Sequence, residues 1–209
     1  MNETEQIKFW KSSFGEEFAE RNSGSYDEHY KKLFGITITH LNREFISNIK
    51  KDSSILEVGC NIGKQLGILE KDGFNNLWGM DINKVILEKT KCHTSWNLVD
   101  GSILDIPFKN NFFDIVFTSG VLIHISPKDL EKAINEMYRV TKKYIWCFEY
   151  FSEECQEIIY RSHKNKLWKN NFIEIFLKKH PDLKIVKKRK LKYLEDDNED
   201  MMFLLEKNN

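Results

Sequence analysis

Two short apolar runs in the sequence end in residues that could hold a nucleoside. The first run, 55–58, leads into a loop with Gly59 and Gly63, and the second, 77–80, ends at Asp81. Glycine lets the main chain bend sharply and lets a ligand approach it closely. In an open α/β sheet such a loop lies under the nucleoside, and an acidic side chain on the next strand binds the ribose hydroxyls. The spacing predicts a site for an adenosine-like ligand.

The composition of the loop argues against a dinucleotide as that ligand. The dinucleotide fingerprint is G-x-G-x-x-G, and its middle glycine lets the diphosphate approach the helix amino end. Asn61 occupies the middle position here, and Glu57 precedes the loop by two residues. A carboxylate at that point suits a cationic or zwitterionic ligand better than a diphosphate.

The run 56–63, LEVGCNIG, resembles motif I of the class I S-adenosylmethionine (SAM)-dependent methyltransferases. The resemblance continues through Asp81, the segment 100–108 and the segment 113–125, in the order found in that family. It implies SAM as cofactor and S-adenosyl-L-homocysteine as product. The alternatives are a protein that binds SAM without catalysing methyl transfer and a related domain that has lost its cofactor.

The resemblance also implies which parts of SAM the motif residues bind. Gly59 and Gly63 should lie against the aminoacyl end, with Glu57 holding the ammonium group directly or through water. Asp81 should bind the ribose hydroxyls, and Ile82 should pack on the adenine.

Further cofactor contacts are implied in the amino-terminal segment and after the third and fourth predicted strands. Ser102 should bind the adenine edge, and Asp100 is the alternative because many relatives have aspartate at the position of Ser102. Trp10, Arg21 and Asn22 belong to a predicted lid. The full set of predicted cofactor contacts is Trp10, Arg21, Glu57, Gly59, Asn61, Gly63, Asp81, Ile82, Asp100, Gly101, Ser102, Ile103 and Ser119.

Hydrophobic periodicity predicts the elements that position these residues. Strands are expected near 54–58, 76–81, 95–99, 112–119 and 144–150, separated by helices, as in a parallel sheet. Segments 184–194 and 201–205 form a further predicted strand pair. Helices are expected over 3–20, 27–50 and 127–140, the last with Ser126 as N-cap, Pro127 in its first turn and Asp129 in the capping-box position.

The family resemblance implies an α/β, Rossmann-like class I methyltransferase fold. Its sheet should have seven mostly parallel strands with one antiparallel strand, and helices should cover both faces. We expect a single domain over 1–209, with an N-terminal helical lid at 1–50 and an acceptor-side insertion at 152–183.

Two segments outside the cofactor core, 4–22 and 149–172, resemble the pseudaminic acid biosynthesis-associated methylases. This narrower resemblance implies a small, anionic acceptor that is methylated on oxygen or nitrogen. A carboxylated sugar or a sugar nucleotide of surface-glycan biosynthesis would fit.

Candidates for acceptor binding and proton transfer follow the predicted strands or lie in the insertion. His124 follows the fourth strand, Glu149 and Tyr150 end the fifth, and Arg161 and His163 lie in the insertion. Arginine binds carboxylate or phosphate through two parallel hydrogen bonds, and histidine titrates near neutrality. In plainer interpretations, His124 is only packed, Glu149 pairs with a lysine, and Tyr150 only walls the pocket.

The charge distribution raises an alternative acceptor. The chain is neutral overall, yet residues 161–192 carry twelve lysines or arginines against Glu174 and Asp182. Such a surface could bind RNA, although it could equally be a solvated edge strand whose lysines prevent sheet-to-sheet pairing. The acidic turn 195–200 should lie close and neutralise part of it. The absence of a stacking motif favours a small acceptor over nucleic acid.

Composition sets the remaining expectations. The 209 residues are 41% hydrophobic and 31% charged, as in a soluble globular protein. The four cysteines form no C-x-x-C pair, so no metal site is expected. No apolar run approaches the ~20 residues that cross a bilayer, and the amino terminus lacks a signal-peptide pattern. We therefore expect a cytoplasmic protein without membrane insertion.

Overall fold

The computed structural model describes residues 3–22 and 24–208. Met1, Asn2 and Ser23 of the predicted lid, and Asn209 of the predicted domain, lie outside the described residues. The strands are β1 Ile55–Val58, β2 Leu77–Asp81, β3 Asn97–Asp100, β4 Phe113–Ser119, β5 Thr141–Tyr150, β6 Gln156–Tyr160, β7 His163–Lys169, β8 Leu183–Lys192 and β9 Glu199–Lys207.

Seven of these strands form the main sheet in the order β3-β2-β1-β4-β5-β9-β8. The pairs among β1 to β5 are parallel, whereas β9 is antiparallel to both β5 and β8. This arrangement confirms the predicted sheet, including its antiparallel strand. The strand order reverses at β1 and β4, where open α/β sheets bind their ligands at the carboxyl ends of the strands.

Helices cover both faces of the sheet because its strands are apolar on both sides. In β5, Ile145 and Cys147 belong to one hydrophobic cluster, while Trp146 and Phe148 belong to the other. Successive strand residues point to opposite faces, so a continuous apolar run supplies two cores. The helices are α1 Glu5–Lys11, α2 Ser13–Arg21, α3 Tyr26–Phe34, α4 Ile38–Ile46, α5 Lys64–Lys71, α6 Lys84–Lys91, α7 Pro127–Val140 and α8 Phe172–Lys179.

The predictions of single helices over 3–20 and 27–50 are wrong, because each segment forms two helices. Ser12 is extended (ψ −179°), and its hydroxyl accepts the Phe14 N–H at the start of α2. Gly35, with φ 73°, ends α3, and Thr37 then caps α4 by accepting the His40 N–H. Hydrophobic spacing continues across these breaks, whereas the capping residues end one helix and begin the next.

The start of α7 is placed correctly by the sequence, but its predicted capping box is absent. Pro127 begins the helix, and Ser126 makes no side-chain capping bond. The Asp129 N–H donates a hydrogen bond to the Ser126 carbonyl. Both residues line a cavity at the carboxyl ends of the strands.

The predicted insertion 152–183 contains two different structures. β6 and β7 form a separate antiparallel hairpin. The following α8 belongs to the core, since Phe172, Ile173 and Phe176 are buried in the same cluster as the inner face of α7.

Candidate functional site

A cavity opens where the carboxyl ends of β1, β2 and β4 meet, beneath α1 and α2. Its empty volume, counted with its open mouth, is about 1170 Å³, enough for a nucleoside with an aminoacyl group. Most of the predicted cofactor residues line it, namely Trp10, Glu57, Gly59, Asn61, Asp81, Ile82, Gly101, Ser102, Ile103 and Ser119. Arg21, Gly63 and Asp100 do not.

The loop after β1 has the conformation that its glycines permit. Gly59, Asn61 and Gly63 all have positive φ, at 75°, 48° and 70°. A Cβ on Gly59 would lie 2.6 Å from the Val121 Cγ2 atom, so both conformation and space require glycine there. Asn61 lines the cavity, and its Oδ1 is buried with no hydrogen-bond partner among the described residues.

Asp81 holds this loop and still faces the cavity. Its Oδ2 accepts the Asn61 N–H at 2.8 Å, and its Oδ1 accepts the Asn83 N–H at 2.8 Å. Burial raises the pKa of Asp81, and these main-chain hydrogen bonds oppose the rise. Each carboxylate oxygen can accept a second hydrogen bond, so Asp81 can bind two hydroxyls of a ligand while it fixes the loop.

Glu57 is a buried carboxyl group without a cationic partner in the described part of the chain. Burial raises its pKa well above the usual range, and the Leu66 N–H at the start of α5 opposes this. Its Oε2 is buried with no hydrogen-bond partner among the described residues, and the residue lines the cavity. A buried, unpaired carboxylate is unfavourable, and an ammonium group from a ligand would remove that cost.

Gly63 packs against Trp96 and is not among the residues that line the cavity. It is the N-cap of α5, and a Cβ there would lie 2.2 Å from Cζ3 of Trp96. A Cβ on Gly67, one helical turn later, would lie 3.6 Å from the same ring, which is an ordinary van der Waals distance.

These two glycines give a matched pair of stability predictions. Gly63→Ala should lower the free energy of unfolding by about 2–4 kcal/mol, since it combines left-handed strain with overpacking. Gly67→Ala should raise it by about 1 kcal/mol through helix propensity. Chemical denaturation of both variants checks this, and equal effects would contradict the assigned role of Trp96.

The far end of the cavity lies beside β2 and β3. Gly101, Ser102 and Ile103 line it, and the Ser102 hydroxyl accepts the Leu104 N–H at 3.2 Å. Asp100, the alternative to Ser102, is exposed and lies outside the cavity lining. Of the two candidates, Ser102 is the one that lines the cavity.

α1 and α2 cover the cavity from above. Trp10 lines it and packs against His124, with ring centroids 4.6 Å apart. Asn22 also lines it, and its amide donates to the Phe18 carbonyl at 2.7 Å. Arg21 points elsewhere, since it pairs with Glu17 at 3.2 Å.

Lys64 is a lining residue that the motif comparison does not single out. It begins α5, its Nζ donates to the Gly24 carbonyl, and it lies 4.6 Å from the Tyr26 ring centroid. Burial lowers its pKa. A cation in the first turn opposes the helix dipole, and an anionic ligand group such as a carboxylate beside Lys64 would offset that cost.

A second cavity adjoins the first, and three of the predicted catalytic residues line it, namely His124, Glu149 and Tyr150. Glu149 also holds the turn after β4, since its Oε1 accepts the Val121 N–H at 3.1 Å and its Oε2 the Ile123 N–H at 3.4 Å. Burial raises the pKa of Glu149 to about 7. No lysine bonds to it among the described residues, contrary to the plainer interpretation.

His124 lies in the wall shared by the two cavities. Its Nδ1 is 2.6 Å from the Lys166 carbonyl oxygen, which can only accept, so Nδ1 carries the hydrogen and Nε2 has a free lone pair. Burial lowers the pKa of His124 to about 4. The imidazole is therefore neutral at physiological pH, with an acceptor available for a ligand.

Arg161 and His163 line neither cavity and lie at the β6–β7 turn. The His163 and Tyr160 ring centroids are 5.6 and 6.0 Å from that of Phe14. Burial raises the pKa of Tyr160, and the neighbouring Arg161 guanidinium opposes that rise. Arg21 also lies beside Phe14, with Cζ 5.4 Å from the ring centroid. We call Arg21 and Arg161 the cationic rim.

Much of the basic segment 161–192 is paired with carboxylates, and β8, which carries many of its lysines, is the edge strand of the sheet. The pairs are Lys166–Glu5, Lys179–Glu131, Lys187–Glu44, Arg189–Glu44, Lys190–Glu199 and Lys192–Asp197. The acidic turn contributes the last two, through Glu199 and Asp197, and so neutralises part of the segment as the sequence predicts.

The described residues, 3–22 and 24–208, include no group of three or more histidine, cysteine, aspartate or glutamate side chains arranged to hold a metal ion. None of the helices in these ranges has the length and apolar character needed to cross a bilayer.

Comparison with known sequences connects this site to a family. Residues 56–147, which contain the glycine loop, Asp81 and the turn after β4, match the family described as "Methyltransferase domain". A protein of Encephalitozoon cuniculi that bears a provisional methyltransferase name is 29% identical over 145 residues, 65% of this chain and 65% of its own. An uncharacterised protein of Methanocaldococcus jannaschii is 33% identical over 128 residues, 60% of this chain and 47% of its own. The chain thus spans less than two thirds of the length of these curated relatives.

Comparison with solved structures identifies the fold. Magnesium protoporphyrin IX methyltransferase from Synechocystis, solved with bound SAM, has a TM-score of 0.69 at 11% identity, with 100% of both chains covered. A protein from Pyrococcus horikoshii has a TM-score of 0.68 at 16% identity, with 90% of this chain and 93% of that chain covered. These likenesses confirm the predicted Rossmann-like fold.

Proposed function

Because residues 56–147 match a methyltransferase domain, we propose that the protein is a SAM-dependent methyltransferase. The observation that carries the proposal is the unpartnered Oε2 of Glu57, buried in the wall of a cavity that also presents Asp81. An ammonium group and a ribose diol are the groups that these two carboxylates suit. SAM carries both on one molecule.

The strand order gives the direction in which SAM would lie. Adenine would sit beside Ser102 and Ile103 after β3, and ribose beside Asp81 after β2. The aminoacyl group would then lie between Glu57 and Lys64, with its ammonium on the carboxylate and its carboxylate on the Lys64 ammonium. This orientation directs the sulfonium methyl group towards β4 and His124.

Methyl transfer from a sulfonium is an in-line displacement whose leaving group needs no protonation. Much of the acceleration therefore comes from holding nucleophile and methyl carbon in near-attack geometry. The free Nε2 of His124 would accept a hydrogen bond from the acceptor's O–H or N–H and so orient its lone pair. Trp10 packs on the same imidazole and would exclude water from the reacting atoms.

The cationic rim supports an anionic acceptor, as the narrower family resemblance implies. Arg161 is exposed and pairs with no carboxylate among the described residues. A carboxylated sugar or sugar nucleotide of cytoplasmic surface-glycan biosynthesis, methylated on oxygen or nitrogen, would place its anionic group there. Many lysines and arginines of segment 161–192 are already paired with carboxylates, so fewer free cations remain for a phosphate backbone. This favours the small acceptor over RNA.

Mass spectrometry tests the proposed activity. The protein and SAM are incubated with a metabolite extract, and metabolites that gain one methyl group are sought. Asp81→Asn, which should bind SAM about 100-fold more weakly, is the control and should give far less of each such product at the same SAM concentration. A wild-type protein that binds SAM but methylates nothing in the extract would support the non-catalytic alternative.

The rim makes a separate prediction for the acceptor. Arg161→Met should lower kcat/KM for the acceptor about tenfold, because a guanidinium–anion pair with two parallel hydrogen bonds is among the stronger polar contacts. SAM affinity, measured by calorimetry, should not change. Lys164→Met, on the same hairpin and also exposed, is the matched control. A parallel loss of turnover and SAM affinity in Arg161→Met would contradict this role.

A further inference from the structure

The second cavity is lined by aromatic and acidic groups, and its empty volume, counted with its open mouth, is about 610 Å³. Its polar wall consists of four tyrosines, two carboxyl groups and two imidazoles. These residues are Tyr30, Tyr150, Tyr160, Tyr193, Glu149, Asp200, His29 and His124. No lysine or arginine lines it in the described part of the chain.

The two carboxyl groups come from paired strands, since Tyr150, the residue after Glu149, pairs with Asp200 across β5 and β9. Burial raises the pKa of Asp200, and the charge of Glu149 raises it further. The Tyr193 hydroxyl donates to Asp200 at 3.4 Å. The Lys169 ammonium group is hydrogen-bonded to Asn198. Its charge lowers the pKa of Asp200 but does not cancel the rise that burial causes. The cavity therefore holds two carboxyl groups whose ionised forms a bound cation would stabilise.

The two cavities meet at Gly120 and His124, which line both. A Cβ at Gly120 would meet no atom within 4 Å, so this part of the wall is open. His124 is about nine-tenths buried and lies in the same wall. A group held in the second cavity would face the sulfonium end of the first.

We propose that the second cavity binds the methyl-accepting end of the acceptor, and that this end is a primary or secondary amine. The inference rests on the proposed function and narrows it to N-methylation. An ammonium group is attracted both to carboxylates and to the faces of tyrosine rings. The anionic part of the same molecule would reach the cationic rim, because Tyr160 lines the second cavity and Arg161 directly follows it in the chain.

The chemical step balances without a further reactant. The bound ammonium first gives one proton to the Glu149 carboxylate. The nitrogen lone pair then forms the N–CH₃ bond, the S–CH₃ bond breaks, and its electron pair stays on sulfur. The products are a methylated ammonium and S-adenosyl-L-homocysteine.

Small probes test this cavity without knowledge of the natural acceptor. Saturation-transfer NMR on the SAM-saturated protein compares n-propylammonium with n-propanol, which has similar size but no charge. We expect binding of propylammonium at least tenfold tighter than that of propanol. Equal binding, or no binding of propylammonium while SAM stays bound, would overturn the inference and leave the proposed function intact. Failure of SAM itself to bind would instead defeat the proposed function.

A variant locates the probe. Asp200→Asn keeps the shape of the cavity and should weaken propylammonium binding about tenfold, with propanol binding and SAM affinity unchanged. Asp197→Asn, in the same acidic turn but exposed, is the matched control and should behave as wild type. Thermal unfolding confirms that both variants fold. A folded Asp200→Asn protein that binds propylammonium as wild type does would also overturn the inference.

Discussion

Asp81→Asn is expected to weaken SAM binding about 100-fold, because hydrogen bonds to a charged group contribute about 1.5–3 kcal/mol each and two ribose hydroxyls depend on this carboxylate. The amide keeps the size of the side chain and one oxygen for the loop. It cannot accept from the Asn61 and Asn83 N–H groups and two hydroxyls together. Isothermal titration calorimetry of the variant with SAM measures the loss.

Asp100→Asn is the matched control for this prediction. Asp100 is paired directly with Asp81 in the β2–β3 register, yet it is exposed and outside the cavity lining. Its replacement should leave SAM affinity within about twofold, on the order of the ±0.5 kcal/mol usual for surface substitutions. If the two variants bound SAM equally well, the ribose would not lie on Asp81.

Glu57→Gln should weaken SAM binding about 30-fold, because it removes the carboxylate that the end of β1 presents to the ammonium group of SAM. In the variant that buried ammonium would be left unpaired, which costs several kcal/mol. Glutamine keeps the size of the side chain and one acceptor oxygen, so the start of α5 should persist. Calorimetry with SAM again supplies the measurement.

A ligand control separates the two carboxylates. 5′-Methylthioadenosine has the ribose and adenine of SAM but no aminoacyl group. Its affinity should be unchanged in Glu57→Gln and strongly reduced in Asp81→Asn. Loss of 5′-methylthioadenosine binding in Glu57→Gln would mean that this residue acts through the loop and not on the ammonium.

The part of the site that can be predicted from sequence is the part whose residues are close together along the chain. Gly59, Asn61 and Asp81 lie at the ends of adjacent parallel strands, and the register of such strands brings their carboxyl ends together. The sheet is predictable for a similar reason, because each strand is a short apolar run between turn residues. The helix breaks at Ser12 and Gly35 cannot be predicted from hydrophobic spacing, because that spacing continues across them.

Residues whose positions depend on tertiary packing cannot be placed in this way. Arg21 turns towards Glu17 on its own helix, and Asp100 ends its strand on the exposed side. The second cavity draws Tyr30 from α3, Glu149 from β5 and Asp200 from β9. Such a set, spread over the chain, has no local pattern that would identify it.

A crystal structure of the wild-type protein grown with excess SAM is the most direct test of the proposed site. We predict SAM in the first cavity, with its ribose hydroxyls on Asp81, its ammonium on Glu57 and its methyl group directed towards His124. A cavity left empty at saturating SAM, or SAM bound with neither carboxylate in contact, would contradict the proposed site.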